Sequence, residues 1–161
     1  MRRQLGRRSV GNSFLVLALL LSMLGAAAAQ VPGGRPDPAQ ADLAAGRAIY
    51  GQYCSSCHGA NGEGAPGWQM PDVRGELPAP AHNATGHTWR HADAALYEMV
   101  SEGWRDPFNR TDRQTMPAFG DRLSAQEIRA VISYLKTLWT AEQRQAQAEA
   151  SKDRPFPPGS P

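Results

Sequence analysis

The chain has 161 residues, enough for one domain with flanking segments. Its formal charge of +2 depends on Arg2, Arg3, Arg7 and Arg8; without residues 1–29, 13 basic side chains face 15 acidic ones, a net of −2. That balance removes the support for a nucleic-acid or anionic-membrane partner drawn by charge, and two cysteines are too few for a Cys-rich zinc site.

In chain order, residues 1–29 read as a secretory signal. The four arginines make a positive start, Phe14 to Leu24 is an apolar run, and Ala27-Ala28-Ala29 is a small-residue cleavage site. The stretch from Phe14 to Ala29 is 16 residues, short of the ~20 that a spanning helix needs. Cleavage before Gln30 and a periplasmic location are therefore expected, with membrane attachment only if the segment is retained. Residues 30–40, rich in Pro and Gly, read as a flexible leader to a domain over residues 41–139.

From Ala41 to Cys57 the pattern is helical, with Leu43, Ile49, Tyr50 and Tyr53 available for a buried stripe. Gly46 interrupts it at a cost of ~1 kcal/mol relative to Ala; such a glycine marks either the close approach of another backbone or simple tolerance, and the residues alone do not choose between them. The pattern ends on Cys54-Ser55-Ser56-Cys57-His58. Two thiols three residues apart, with a histidine directly after the second, form an attachment site for a c-type haem. One helical turn sets the thiols at the spacing of two vinyl groups on one macrocycle edge, and His58 then ligates the iron from the proximal side. A structural disulfide, a thioredoxin-like pair or a zinc site each leaves His58 unexplained.

Gly59 to Ala84 is punctuated by glycine and proline too densely for a helix or strand. So long a loop makes sense wrapped around a cofactor that supplies the core it packs on. A second helix is expected over Ala92 to Glu102, with His91 or Asp93 as its cap and Gly103 as its stop. The last helix opens on a Ser124…Glu127 capping box and carries Ile128, Val131, Ile132, Leu135, Leu138 and Trp139 at amphipathic spacing. Residues 140–161 lose the apolar stripe and read as a polar, disordered tail.

For the far side of the iron the candidate is Met116, in Thr115-Met116-Pro117-Ala118-Phe119-Gly120. A thioether favours ferrous iron and raises the potential, and Pro117 with Gly120 shapes a turn to present it. Met99 reads as helix core. Met70 stands only 12 residues past His58, a short path to the opposite face.

His82, His87 and His91 are close enough in sequence to bind copper or zinc, or to replace Met116. The plainer reading is a half-exposed loop in which Trp89 covers the haem edge.

Gly46, Tyr50, the Cys-x-x-Cys-His, the MPAFG loop and the ISYLK stretch resemble the class I (mitochondrial-type) bacterial cytochromes c over roughly Ala41 to Trp139. The resemblance implies an all-α, small cytochrome c fold of three to four helices with long loops around one covalent haem c. It implies that the first and last helices cross at Gly46, with Tyr50 against Tyr134, and that a proline carbonyl, best matched by Pro66, accepts the proximal imidazole proton. With two lysines in the chain, docking through a lysine ring is not implied.

The expected function is electron transfer between a redox donor and acceptor, such as a respiratory complex, oxidase or dehydrogenase. No nucleophile–base arrangement points to an enzyme. The alternatives are a haem enzyme with an open distal site and a copper-handling protein using the His82/His87/His91 loop.

Overall fold

The computed structural model describes residues 38–158; the expected signal and most of the leader lie outside the described residues. Among the described residues the secondary structure is helical, with one isolated antiparallel bridge between Trp104 and Met116. No described helix is long and apolar enough to cross a membrane.

Helix α1 spans Pro38–Ile49, three residues earlier than its apolar pattern suggests. It does not continue smoothly to the histidine. Tyr50–Cys54 widen into a π-helical turn, closed by the Ser55 amide donating to the Tyr50 carbonyl, and Ser55–His58 form the short α2. One extra residue in a turn rotates everything after it by about 100°. The turn therefore re-aims the cysteines and His58 relative to the face α1 presents to the core.

Helix α3 (Asp93–Glu102) and helix α4 (Ala125–Lys136) complete the framework. The capping box of α4 is formed: the Glu127 amide donates to Ser124 Oγ, and the Ser124 amide to Glu127 Oε2 at 2.8 Å. Its inner face buries Ile128, Ala130, Val131, Ile132 and Leu135, each large aliphatic contributing about 1.5–3 kcal/mol. Helix α1 crosses α4 at Gly46. A Cβ there would overlap the Ala130 carbonyl oxygen and sit 2.6 Å from its carbon and 3.1 Å from Tyr134 Cβ. One turn on, the Tyr50 and Tyr134 rings meet with centroids 5.4 Å apart.

Two expectations about the ends of these helices need correction. Neither His91 nor Asp93 caps α3: its first residue outside is Ala92, without a side-chain cap, and Ser151 Oγ accepts from the Asp93 amide instead. Ser151 is available because residues 140–158 are not a disordered tail. Thr140 and Gln143 form a second capping box, and Ala141–Ala150 is helix α5. It packs on the turn Thr88–Arg90 and docks through polar contacts, not an apolar stripe. Gln143 Nε2 donates to the Ala84 carbonyl at 2.9 Å. Gln147, 1% exposed, donates to Asp93 Oδ1 and Ser151 Oγ at 2.6 and 2.9 Å. Beyond α5 the Ala94 amide donates to the Arg154 carbonyl, and Lys136 Nζ lies over the Phe156 ring.

Candidate functional site

The helices and the two long loops enclose a cavity of about 940 Å³, near the top of the range of about 300–1,000 Å³ for small-molecule sites. Cys54, Cys57 and His58 line it, and so does Met116. Apolar side chains make up much of the remaining wall, among them Leu96, Met99, Phe119 and Ile132.

Both cysteines are free thiols, standing for the thioethers that attachment would make of them; Cys54 is half-buried and Cys57 exposed. Burial, with Cys57 second, pushes the Cys54 thiol up to about 11, so it rests neutral. Tyr50 backs this wall. Burial raises its hydroxyl, helped by Cys54, Glu63 and Tyr134, and keeps it a donor to the Gly59 carbonyl at 2.7 Å.

His58 is 7% exposed, and its Nδ1–H donates to the Pro80 carbonyl at 2.8 Å. That bond fixes the tautomer and leaves Nε2 as the nitrogen free to ligate. Burial lowers the imidazole's pKa while the Pro80 carbonyl opposes it, so the ring is neutral, as a ligand must be. Pro66 is not the partner. It is exposed and outside the cavity lining, whereas the long loop folds back and delivers Pro80.

Met116 is positioned by backbone pairing. Its amide donates to the Trp104 carbonyl and its carbonyl accepts from the Trp104 amide, both at 3.0 Å. Phe119 and Gly120 then donate to Val100 and Ser101 at the end of α3. Gly103, at φ +79°, permits this, since a Cβ there would lie 2.6 Å from the Met116 carbonyl oxygen. Met70 is 70% exposed and lies outside the cavity lining.

The histidine loop divides. His82 does not join the other two: its ring stacks on His58 with centroids 3.9 Å apart. His87 and His91 meet edge to face at 5.5 Å. No group of three metal-holding side chains occurs among the described residues, so the three imidazoles do not converge as a copper site needs. Trp89 is also placed elsewhere. It is packed against the core outside the cavity lining, with Nε1 donating to the Gly86 carbonyl. The tryptophans that do line the cavity are Trp68 and Trp104, which the sequence reading did not single out. Their positions in irregular loops gave no periodic signal.

The loop that follows His58 is tied to the loop before Met116 by Glu76, 3% exposed, which accepts from Arg113 and from Thr111 Oγ1. Asn109, also buried, accepts from the Leu77 amide at 2.7 Å and ties the same two loops together.

These features fit a covalently held, axially ligated macrocycle: two thiols and an oriented neutral imidazole on one wall, and a thioether in the lining of a largely apolar chamber. The family model described as cytochrome c matches residues 43–139. The chain is 34% identical over 95 residues to cytochrome c6 of Gracilaria tenuistipitata var. liui, spanning 59% of this chain and 71% of that one. It is 25% identical over 121 residues to the cbb3-type cytochrome c oxidase subunit FixP of Sinorhizobium medicae (strain WSM419). That match spans 73% of this chain but only 37% of FixP. Among solved structures, cytochrome CL from the marine methylotroph Methylophaga aminisulfidivorans MPT aligns with a TM-score of 0.42 at 19% identity, over 76% of this chain and 72% of that one.

Proposed function

Because this chain belongs to the cytochrome c family and carries one covalently attached haem c, we propose that it is an exported electron carrier whose iron sits between His58 and Met116. The observation that carries the reading is Met116 in the lining of the same cavity as Cys54, Cys57 and His58, with Met70 outside it. Met99 also lines the cavity, but from a helix face; Met116 comes from a loop pinned at Trp104, Val100 and Ser101.

The bound haem supplies one-electron chemistry at its iron. Around it, Cys54 and Cys57 hold the macrocycle, and His58, oriented by Pro80, binds one face. Met116 closes the other against water and small ligands. The apolar lining keeps charge on the iron costly, which with a thioether ligand favours the reduced state.

Residues 1–29 direct export, and the mature chain works in the periplasm between a redox donor and an acceptor. FixP is by name an oxidase subunit, which supports an oxidase as a partner class.

Carbon monoxide and peroxide test the reading. The wild-type protein resists both at neutral pH, because Met116 must dissociate first, and Met116→Ala binds carbon monoxide readily. Rapid carbon monoxide binding and peroxide turnover by the wild type would instead mark an open iron and an enzyme.

A further inference from the structure

His82 has no part in holding the macrocycle or in closing its far face, yet it is one of the most constrained side chains near the site. Its ring lies against the His58 ring with centroids 3.9 Å apart and planes 25° from parallel. The stack keeps both imidazoles on one side of the cavity, so His82 is no candidate for the opposite axial position.

The ring is fixed from several directions. Its Nδ1 is 2.9 Å from Thr88 Oγ1, and the Thr88 hydroxyl donates to the Ala81 carbonyl. With that hydrogen used, Thr88 accepts, and His82 carries its proton on Nδ1. The His82 amide donates to the Gly62 carbonyl at 2.7 Å, and its carbonyl accepts from Trp139 Nε1 at 2.8 Å. Helix α5, which begins beyond the end of the family match at residue 139, holds the same loop from outside. Gln143 bonds the Ala84 carbonyl and Gln147 the His91 carbonyl.

We propose that His82 is a positioning residue that sets the plane of the His58 imidazole, with α5 as the clamp that keeps it there. Pro80 restrains His58 at one atom, Nδ1, about which the ring can still tilt. A flat ring against its face removes that freedom, where an aliphatic side chain of similar volume would not. The plane matters because it selects which iron d orbital the imidazole overlaps, and so how unpaired spin spreads over the haem edge.

The inference rests on His58 as the proximal ligand, and the experiment separates the two claims. In the ferric cyanide adduct the far ligand is axially symmetric, so the order and spread of the four haem methyl proton shifts report the His58 plane alone. The comparison is between wild type, His82→Phe, which keeps a flat ring, and His82→Leu, which keeps volume only. Wild type and Phe share one methyl order; Leu changes the order or compresses the spread, and Gln147→Ala moves in the same direction by less. A purely structural role lowers the melting temperature of both His82 variants and leaves the methyl pattern alone, which overturns the proposal. Should His82→Leu not mature, His82→Gln, ringless but able to bond Thr88, carries the same comparison. Absence of hyperfine-shifted His58 ring signals in the wild type would refute the ligand assignment. Their presence, with no response to losing the His82 ring, refutes only the role of His82.

Discussion

His58 and Pro80, 22 residues apart, are joined by a single hydrogen bond of 2.8 Å from the imidazole Nδ1 to the proline carbonyl. The bond commits Nδ1 to the protein and leaves Nε2 for the iron under the proposed function. Attachment and ligation are then separable, because the thiols would hold the macrocycle independently of the imidazole. Replacing Cys54 and Cys57 with Ala is expected to leave haem that acidified organic solvent extracts, whereas His58→Gln should keep haem on the chain through extraction and alter only its ligation. Solvent-extractable haem in the wild type would contradict covalent attachment.

Met116 and Met70 differ in one testable respect. The ferric protein is expected to show the weak red charge-transfer band of a methionine–iron bond in its visible spectrum, and Met116→Ala to abolish it. Met70→Ala leaves it in place. The Met116 variant also has a lower potential, since the ligand that favours ferrous iron is gone.

Gly46→Ala sets two effects against each other. Alanine gains ~1 kcal/mol of helix propensity, but its methyl overlaps the Ala130 backbone, which cannot swing aside as a side chain can. Overpacking of this kind costs about 1–3 kcal/mol, and against backbone the upper end applies. Urea unfolding of the holoprotein is expected to show a net loss of about 2 kcal/mol.

The loop brace gives the fold a defined response to acid. Arg113, then Thr111, lower the Glu76 carboxyl from its ordinary value of 4.5 to about 2. A depressed carboxylate contributes stability in full above its unfolded value and loses it as pH falls through the folded one. The contribution is therefore complete above about pH 4.5 and lost on descent to about pH 2. Thermal melts across that window should show Glu76→Gln to be less stable than wild type at pH 7, with the difference shrinking as pH falls to 2. A difference independent of pH would remove Glu76 from the account.

Deleting residues from Thr140 onward tests whether α5 is structural. The deletion strips the Ser151 cap from α3 and the Gln147 contacts from Asp93. Loss of a helix cap costs about 0.5–2 kcal/mol and of a buried hydrogen bond about 1–3. The truncated holoprotein should melt measurably lower, and hydrogen exchange should quicken in residues 82–94. Unchanged exchange there would mean that α5 merely decorates the surface.

Some of this was written in local sequence. The haem motif and the amphipathic face of α4 with its Ser124–Glu127 box each depend on residues within a turn or two of one another, whereas the crossing at Gly46 depends on Ala130 and Tyr134 far along the chain. Periodicity and capping are properties of such short spans. Helix α5 was legible only in part. Thr140 and Gln143 form the same kind of box as Ser124 and Glu127, but the helix after it lacks the apolar stripe that normally signals packing. It docks through Gln143 and Gln147 instead, and glutamine reads as solvent until its partners are known.

Spacing along the chain was enough to give the Cys-x-x-Cys-His motif and the class of fold, but not the π-helical turn at Tyr50–Cys54 that re-aims the motif. Tertiary structure alone decided that Pro80 rather than Pro66 holds His58, that Trp68 and Trp104 rather than Trp89 line the cavity, and that His82 leaves its loop to stack on His58. All of these choices fall in loops, where no period constrains which residue turns inward. A loop's path is set by the distant carbonyls and amides it must satisfy, and those partners come together only once the chain has folded.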